Sequence, residues 1–505
     1  MNPALKAIPI VPGLWMFRDT CNVYVLKRGD RAVAIDFGSG RWLQFLPALG
    51  ISGLDHVWLT HHHADQCSGL PARPRWPFVI HAPAGEDRFL DPAQVKAFHK
   101  PLEIGALYPA SFSVLPRGIP GIHYDMAGDT ERYWRDLCLR FIHTPGHSPD
   151  ACSVLVEFDG RQIAFCGDAA HVRSTIWEPF HLEWDHWTGT GALAAWQGIQ
   201  RLLGPGVDCL YPSHGPRIGP FPRRALRKLA GRLLDLYKAK GSICAGEKDH
   251  FLVPGLLACG ARRYLPHLIQ FGGNGWLLVS ETGEGLVVDP ESADLPLLDR
   301  VLKESGGVQP TIMTASHFHY DHNEGMPAMK KRYGTQSWLH PRVAGPMSHA
   351  LGRNFPFLLN RPIRADHLWP ERGAWRWHEY VFAVAPWPGQ TWWHCVFMTT
   401  IDGRKVLFGG DSFQPASRWN GTGGFCAYNN SQFRAGYIAS AQLALKWKPD
   451  ILANGHQTCF RFTASRFRRI IHWAQSAERA VRALCPSGDL ERDYYSVREK
   501  KLSGS

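Results

Sequence analysis

Thr60-His61-His62-His63-Ala64-Asp65-Gln66 and Ser316-His317-Phe318-His319-Tyr320-Asp321-His322 are two copies of one motif, H-x-H-x-D-[H/Q], within a chain of 505 residues. The pattern crowds imidazoles and a carboxylate onto one turn, as a dinuclear metal site needs. Each copy is followed, in the same order, by three more candidate ligands. In the first half these are His147 in Thr144-Pro145-Gly146-His147-Ser148, Asp168 in Phe165-Cys166-Gly167-Asp168, and His214 in Tyr211-Pro212-Ser213-His214-Gly215. In the second they are Gln390 in Trp387-Pro388-Gly389-Gln390-Thr391, Asp411 in Phe408-Gly409-Gly410-Asp411, and His456 in Asn454-Gly455-His456. The offset between the copies changes substantially once, between the first and third motifs. Four motifs recurring in order are far more specific than any one of them.

The length exceeds what one ordinary core accommodates, and the repeat divides it into two domains, expected at 1–240 and 241–505. The linker is expected around Lys240-Gly241-Ser242, where helical spacing ends at glycine. With 45% hydrophobic and 20% charged residues and a mean hydropathy of −0.22, the composition is that of a globular protein able to bury two cores. No stretch is long enough to span a bilayer and Met1 to Ile10 has no apolar leader, so the expectation is a cytoplasmic protein with no membrane partner. Twelve cysteines, none in a C-x-x-C pair, lie in strand-like runs and are read as small buried thiols. The net charge of +12 suits anionic substrates or nucleic acid. It is diffuse, however, and the densest stretches, Arg223-Arg224 with Arg227-Lys228 and Arg466 with Arg468-Arg469, are read as solvated helix faces.

Each half opens with runs that read as antiparallel hairpins, Asn22–Leu26 with Ala32–Asp36 and Gly275–Val279 with Gly285–Asp289. Asp36 and Asp289 occupy equivalent strand ends. The H-x-H-x-D motifs follow Val57-Trp58-Leu59-Thr60 and Thr311-Ile312-Met313-Thr314, which places their ligands where a buried strand gives way to a loop. After each last histidine an apolar face at helical spacing appears: Leu226, Leu229, Ala230, Leu233 and Tyr237, then Phe467, Ile470, Ile471, Ala474, Ala477 and Val481. From about Ser487 the tail is polar and is expected to fray.

At these motifs the chain resembles the metallo-β-lactamase superfamily, whose signature is HxHxDH, a PGH histidine, a GD aspartate and a late histidine. The resemblance implies an α+β fold of two αββα sandwiches in tandem, with metals at one edge between the sheets. It also implies a metal-1 set of His61, His63 and His147 in the first half, with Asp168 bridging to a metal-2 set of Asp65, Asp168 and His214. Gln66 stands in place of the family's metal-2 histidine, and an amide oxygen is the weaker ligand. The second half inverts the loss: Asp321, His322, Asp411 and His456 form a complete metal-2 set, while His317 and His319 lack a third histidine because Gln390 replaces it. His394, four residues on, reads as part of a strand leaving the loop. His56, His62, His81, His181 and His186 are read as ordinary core or surface histidines.

The expected cofactor is Zn²⁺, one or two ions per domain, with iron compatible with the same ligands. Zinc on three neutral imidazoles keeps a position for water and lowers its pKa from 15.7 toward about 7. The function expected is therefore a hydrolase using a metal-bound hydroxide on an ester, lactone, amide or thioester. His63, Asp65 and Asp321 are the candidate catalytic residues, and Asp65 orients the nucleophile and shuttles its proton. His317 and His319 would act as donors to a developing oxyanion. A small-molecule substrate, with anionic ones included, is the expected partner. The alternatives are a nuclease or phosphodiesterase, a mononuclear iron oxygenase, and a non-catalytic metal-binding scaffold. Twenty tryptophans invite two readings, a substrate wall or core packing. Trp187-Thr188-Gly189-Thr190-Gly191 and Trp419-Asn420-Gly421-Thr422-Gly423 follow the GD aspartate at similar distance and are the candidate substrate loops.

Overall fold

Both expected hairpins form in the computed structural model, which describes residues 5–71, 77–99, 113–184, 190–241, 248–349, 357–415, 417, 425 and 427–495. Asn22–Arg28 pairs antiparallel with Arg31–Ile35, and Gly275–Val279 with Glu284–Val288. Each sheet then continues in parallel into the strand that leads to the H-x-H-x-D motif, Gly53–Trp58 or Gln309–Thr314. A further parallel strand, Val79–Pro83 or Gln336–Leu339, covers the other side. The motif strands are therefore interior, which is why they read as apolar runs rather than as alternating ones.

Among the described residues the first half has sheets of seven and five strands, and the second has sheets of eight and six. In the smaller sheets Arg161–Gly167 lies parallel to Cys209–Pro212, and Arg404–Gly410 to Ile451–Asn454. The GD aspartate and the late histidine thus leave adjacent strands at the same end. In the first half the sheets meet over Tyr24, Leu26, Val33 and Trp58 from one face and Phe141, Val154 and Phe165 from the other. In the second half Trp276 packs edge-on to Phe408, and its Nε1 donates to Asn454 O at 3.0 Å.

The outer faces of the two smaller sheets are covered by helices. Thr190–Leu203 and Pro222–Gly241 lie on the first, Ala439–Trp447 and Ala464–Leu484 on the second. These helices do not form two separate layers: one buried cluster joins Leu155, Leu202, Leu229 and Leu233 to Leu407, Trp473, Ala477 and Val481. Pro222–Gly241 packs on both Thr190–Leu203 and Ala464–Leu484. At the same seam Lys240 is paired with Glu183, which also accepts from the Tyr494 hydroxyl, and Trp473 Nε1 donates to Ala239 O at 2.7 Å.

Arg466 departs from the solvated-face reading. It is buried, bonds Asp249 at 2.6 Å and lies over the Phe460 ring, whereas Arg223, Arg224, Arg227, Lys228, Arg468 and Arg469 are exposed. The ten cysteines among the described residues are unpaired. No helix among the described residues is long and apolar enough to cross a membrane.

Candidate metal centres

In the first half Asp36, at the end of its strand, anchors the motif by accepting from Thr60 N (2.8 Å) and Thr60 Oγ1 (3.0 Å). The chain then turns so that His61 and His63 face inward, and the short helix Ala64–Cys67 carries Asp65 and Gln66. His147 arrives from the smaller sheet on a turn closed by Gly146 N to Ser148 O at 2.9 Å. Only glycine fits at position 146: its φ is +141°, and a Cβ there would lie 2.4 Å from the Ala195 side chain. The three rings stand 4.6, 4.7 and 5.3 Å apart between centroids, all buried.

Burial pushes these imidazoles down, His61 to about 4 and His63 and His147 well below their ordinary value, with His181 next among the causes for the latter two. Three neutral, buried nitrogen donors within 4.8 Å of one another are a set that a divalent zinc fits. Asp168 lies beside them, its Oδ2 3.7 Å from His61 Nε2 and 3.5 Å from His147 Nε2. His214 lies on the far side of Asp168, with Nδ1 3.0 Å from both carboxylate oxygens and Nε2 3.0 Å from Asp65 Oδ2. Burial opposes its charge, but Asp168 and Asp65 outweigh burial and raise His214 to about 11. Gln66, which is buried, turns its amide to Asp65. His214 thus bonds Asp168 on one side and Asp65 on the other.

The second half repeats the frame and reverses the emphasis. Ser316 N and Oγ bond Asp289 at 2.7 and 2.8 Å, and His322 Nδ1 bonds the same carboxylate at 2.9 Å. Ligand atoms of Asp321, His322, Asp411 and His456 all lie within 4.8 Å of one another, and those of His317, His319 and Asp411 do likewise. Burial works against charge on His322, yet Asp411, Asp321 and Asp289 hold it well above the usual imidazole range. Gln390 does not replace the missing imidazole: its Nε2 donates to Asp411 Oδ2 at 3.2 Å. His319 Nε2 is 3.1 Å from the Asn429 amide, while His317 Nε2 is buried with no hydrogen-bond partner. His394 stacks on His317 at 4.8 Å and 15°, its Nδ1 facing Cys395 O at 2.9 Å.

The metallo-beta-lactamase superfamily model matches residues 16–214 and again residues 268–456, one copy in each half and together most of the chain. The chain belongs to the metallo-beta-lactamase superfamily. It is 31% identical over 150 residues to a ribonuclease Z of Salinispora arenicola, covering 27% of this chain and 45% of that protein. It is 24% identical over 229 residues to an atrochrysone carboxyl ACP thioesterase of a Cryptosporiopsis species, covering 43% of this chain and 56% of the relative. The chain thus spans about half the length of the curated relatives it matches. Among solved structures, a beta-lactamase domain protein from Burkholderia ambifaria is 18% identical with a TM-score of 0.37, covering 48% of this chain and 79% of that one.

Within this superfamily frame, His181, read from the sequence as an ordinary histidine, and the motif-flanking Trp177 and Trp184 lie beside the first centre. His181 packs on His63 and His147 at 4.2 and 4.6 Å, brought there by the turn Pro179–Leu182. Trp177 stacks on His214 at 4.5 Å and 7°, and Trp184 Nε1 donates to Gly146 O at 2.9 Å. In the second half Trp387 and Trp393 are core residues, packed on Phe413 and Phe318, and Trp392 lies over Arg342. Trp387 and Trp393 thus follow the core-packing reading, while Trp177 and Trp184 lie against the first centre. Trp187, Thr188, Gly189, His186 and Trp419–Gly423 lie outside the described residues.

Proposed function

We propose that this chain is a metal-dependent hydrolase of two domains, 1–240 and 241–505, whose working centre is His61, His63 and His147 with Asp65, Asp168 and His214 beside them. The observation that carries this reading is the trio of buried, neutral imidazoles next to two carboxylates. Zinc there would supply a Lewis acid and a water acidic enough to attack at neutral pH. Asp65 would orient the attacking water by accepting a hydrogen bond from it, and His214 Nε2, 3.0 Å away, holds the carboxylate in place. Although burial opposes its charge, His214 holds the Asp65 carboxyl below the ordinary range, so it stays ionised and able to accept that hydrogen bond. Trp177 forms a flat wall beside His214 for the substrate. In the second half Asp321, His322, Asp411 and His456 would hold an ion, with His317 and His319 as donors to a developing oxyanion.

The substrate class we favour is an ester, thioester, lactone or amide, and the thioesterase likeness supports it. A phosphodiester is the second reading, supported by the ribonuclease Z likeness and the net charge of +12. Metal analysis of the purified chain should find about one or more ions per chain, and it distinguishes zinc from iron. A panel of esters, thioesters, lactones, β-lactams and phosphodiesters should then lose turnover in His63→Ala. Activity that survives both His63→Ala and His322→Ala would remove the catalytic assignment, and a folded chain that binds no metal would sink the enzyme reading.

A further inference from the structure

Glu86 ends the turn Ala84–Glu86 that follows Val79–Pro83, distant in sequence from both ligand loops of the first centre, and is fully buried. Its Oε2 accepts from the His62 backbone N–H at 3.0 Å and from His62 Nδ1. Its Oε1 accepts from the Ser148 hydroxyl and from the Asp150 N–H at 3.3 Å. His62 stands between the ligands His61 and His63, and Ser148 directly follows the ligand His147. One carboxylate therefore joins the two loops that supply all three imidazoles. The His62 ring is held from its other face by Phe89, stacked at 4.2 Å. The approach depends on glycine at position 85, where a Cβ would lie 2.3 Å from the Asp150 carboxyl carbon.

The second half holds the same loops without a buried carboxylate between them. By position along the repeat, Phe318 stands for His62, Val343 for Glu86 and Thr391 for Ser148. Phe318 and Val343 are fully buried. Thr391 Oγ1 accepts from the Trp393 N–H at 3.2 Å, the amide that matches Asp150 N. An arrangement without a buried carboxylate thus satisfies this fold. Burying a carboxylate in its place is costly unless every oxygen is well partnered, so the anion calls for a local reason, and the loops it joins supply one.

We propose that Glu86 is the positioning residue of the first centre: by holding the His62 and Ser148 loops together it fixes the His61–His63–His147 geometry and so sets that centre's metal affinity. This rests on the metal-centre reading above. Hydrogen-bonded groups behind the ligands of a metal typically change affinity by about 10–100-fold when removed.

The test uses the full chain carrying His322→Ala and Asp411→Ala, which take a ligand from both candidate clusters of the second half, so that the first centre is titrated. Zn²⁺ is titrated against a chromophoric chelator, and Co²⁺ is read by its visible absorption. Glu86→Gln, which keeps the side chain's volume, should weaken Zn²⁺ binding by about 10–100-fold and change the Co²⁺ band shape; Glu86→Asp should recover part of both. A Glu86→Gln chain that binds Zn²⁺ as tightly as its parent, with the same Co²⁺ spectrum, overturns the proposal. If Glu86→Gln does not fold, Ser148→Ala, which removes one hydroxyl, is read instead: weaker Zn²⁺ binding supports the proposal, unchanged binding overturns it. If the parent itself takes up no metal, the metal-centre reading fails and this one with it, whereas equal binding by parent and variant overturns this proposal alone.

Discussion

Gln66 stands where the second copy has His322, and the difference extends into its surroundings. His322 Nδ1 bonds Asp289, whereas the matching carboxylate, Asp36, is taken at 2.6 Å by the Ser213 hydroxyl, at a position that is Gly455 in the second half. A histidine at position 66 would compete with that hydroxyl for Asp36. We therefore expect Gln66→His alone to add little, and Gln66→His with Ser213→Gly to raise the Zn²⁺ bound by the first half by one ion, read by titration of metal-free protein. At the same scale, Glu86 gives an acid signature. Burial opposes its charge, but His62 and Ser148 hold it at about 2. A carboxyl depressed in the folded state contributes fully above its unfolded pKa near 4.5, and the contribution fades as pH falls from there toward 2. Metal-free wild type should lose stability more steeply over that window than Glu86→Gln, by urea midpoints taken at successive pH values. The candidate ligand positions were legible because their types and order repeat in one chain. Glu86 and His181 were not, because a lone glutamate after a strand and a lone histidine in a turn have no spacing to read; only the fold brings them to the loops.

Helix Pro222–Gly241 shows what periodicity conveys and what it omits. Leu226, Leu229, Ala230, Leu233 and Tyr237 announced an apolar face; the first four are buried, while Tyr237, at the helix's last turns, is exposed. The pattern did not show that this face is shared with Ala464–Leu484 across the halves, since an apolar stripe looks the same whatever covers it. Leu233 is fully buried in the joint cluster. Leu233→Ala should cost about 2–5 kcal/mol, seen as a lowered urea midpoint. The hairpins and motif strands were legible from β-branched runs between turns. The strands Val79–Pro83 and Ile122–Met126 were passed over because prolines and histidines interrupt their apolar pattern. Arg466 was read as solvated because its partner, Asp249, is remote in sequence.

Over the whole molecule, the two sandwiches are joined through their helical faces, and a buried ion pair lies at the seam. Lys240 and Glu183 are almost fully enclosed, with Tyr494 on the same carboxylate. Lys240→Met removes the cation and leaves the buried anion, which should cost about 3–5 kcal/mol in chemical denaturation. Lys240→Met combined with Glu183→Gln should cost less than the two changes summed, because the pair is one unit. The shared cluster also bears on how such a chain could be taken apart or recombined. Leu229 and Leu233 on one side, Trp473 and Val481 on the other, are shielded from water by the opposite copy. Neither copy is a portable module: a lone half, or a chimera pairing one half with a stand-alone relative whose helices are polar outside, would present a sticky wall and precipitate before its chemistry could be assayed.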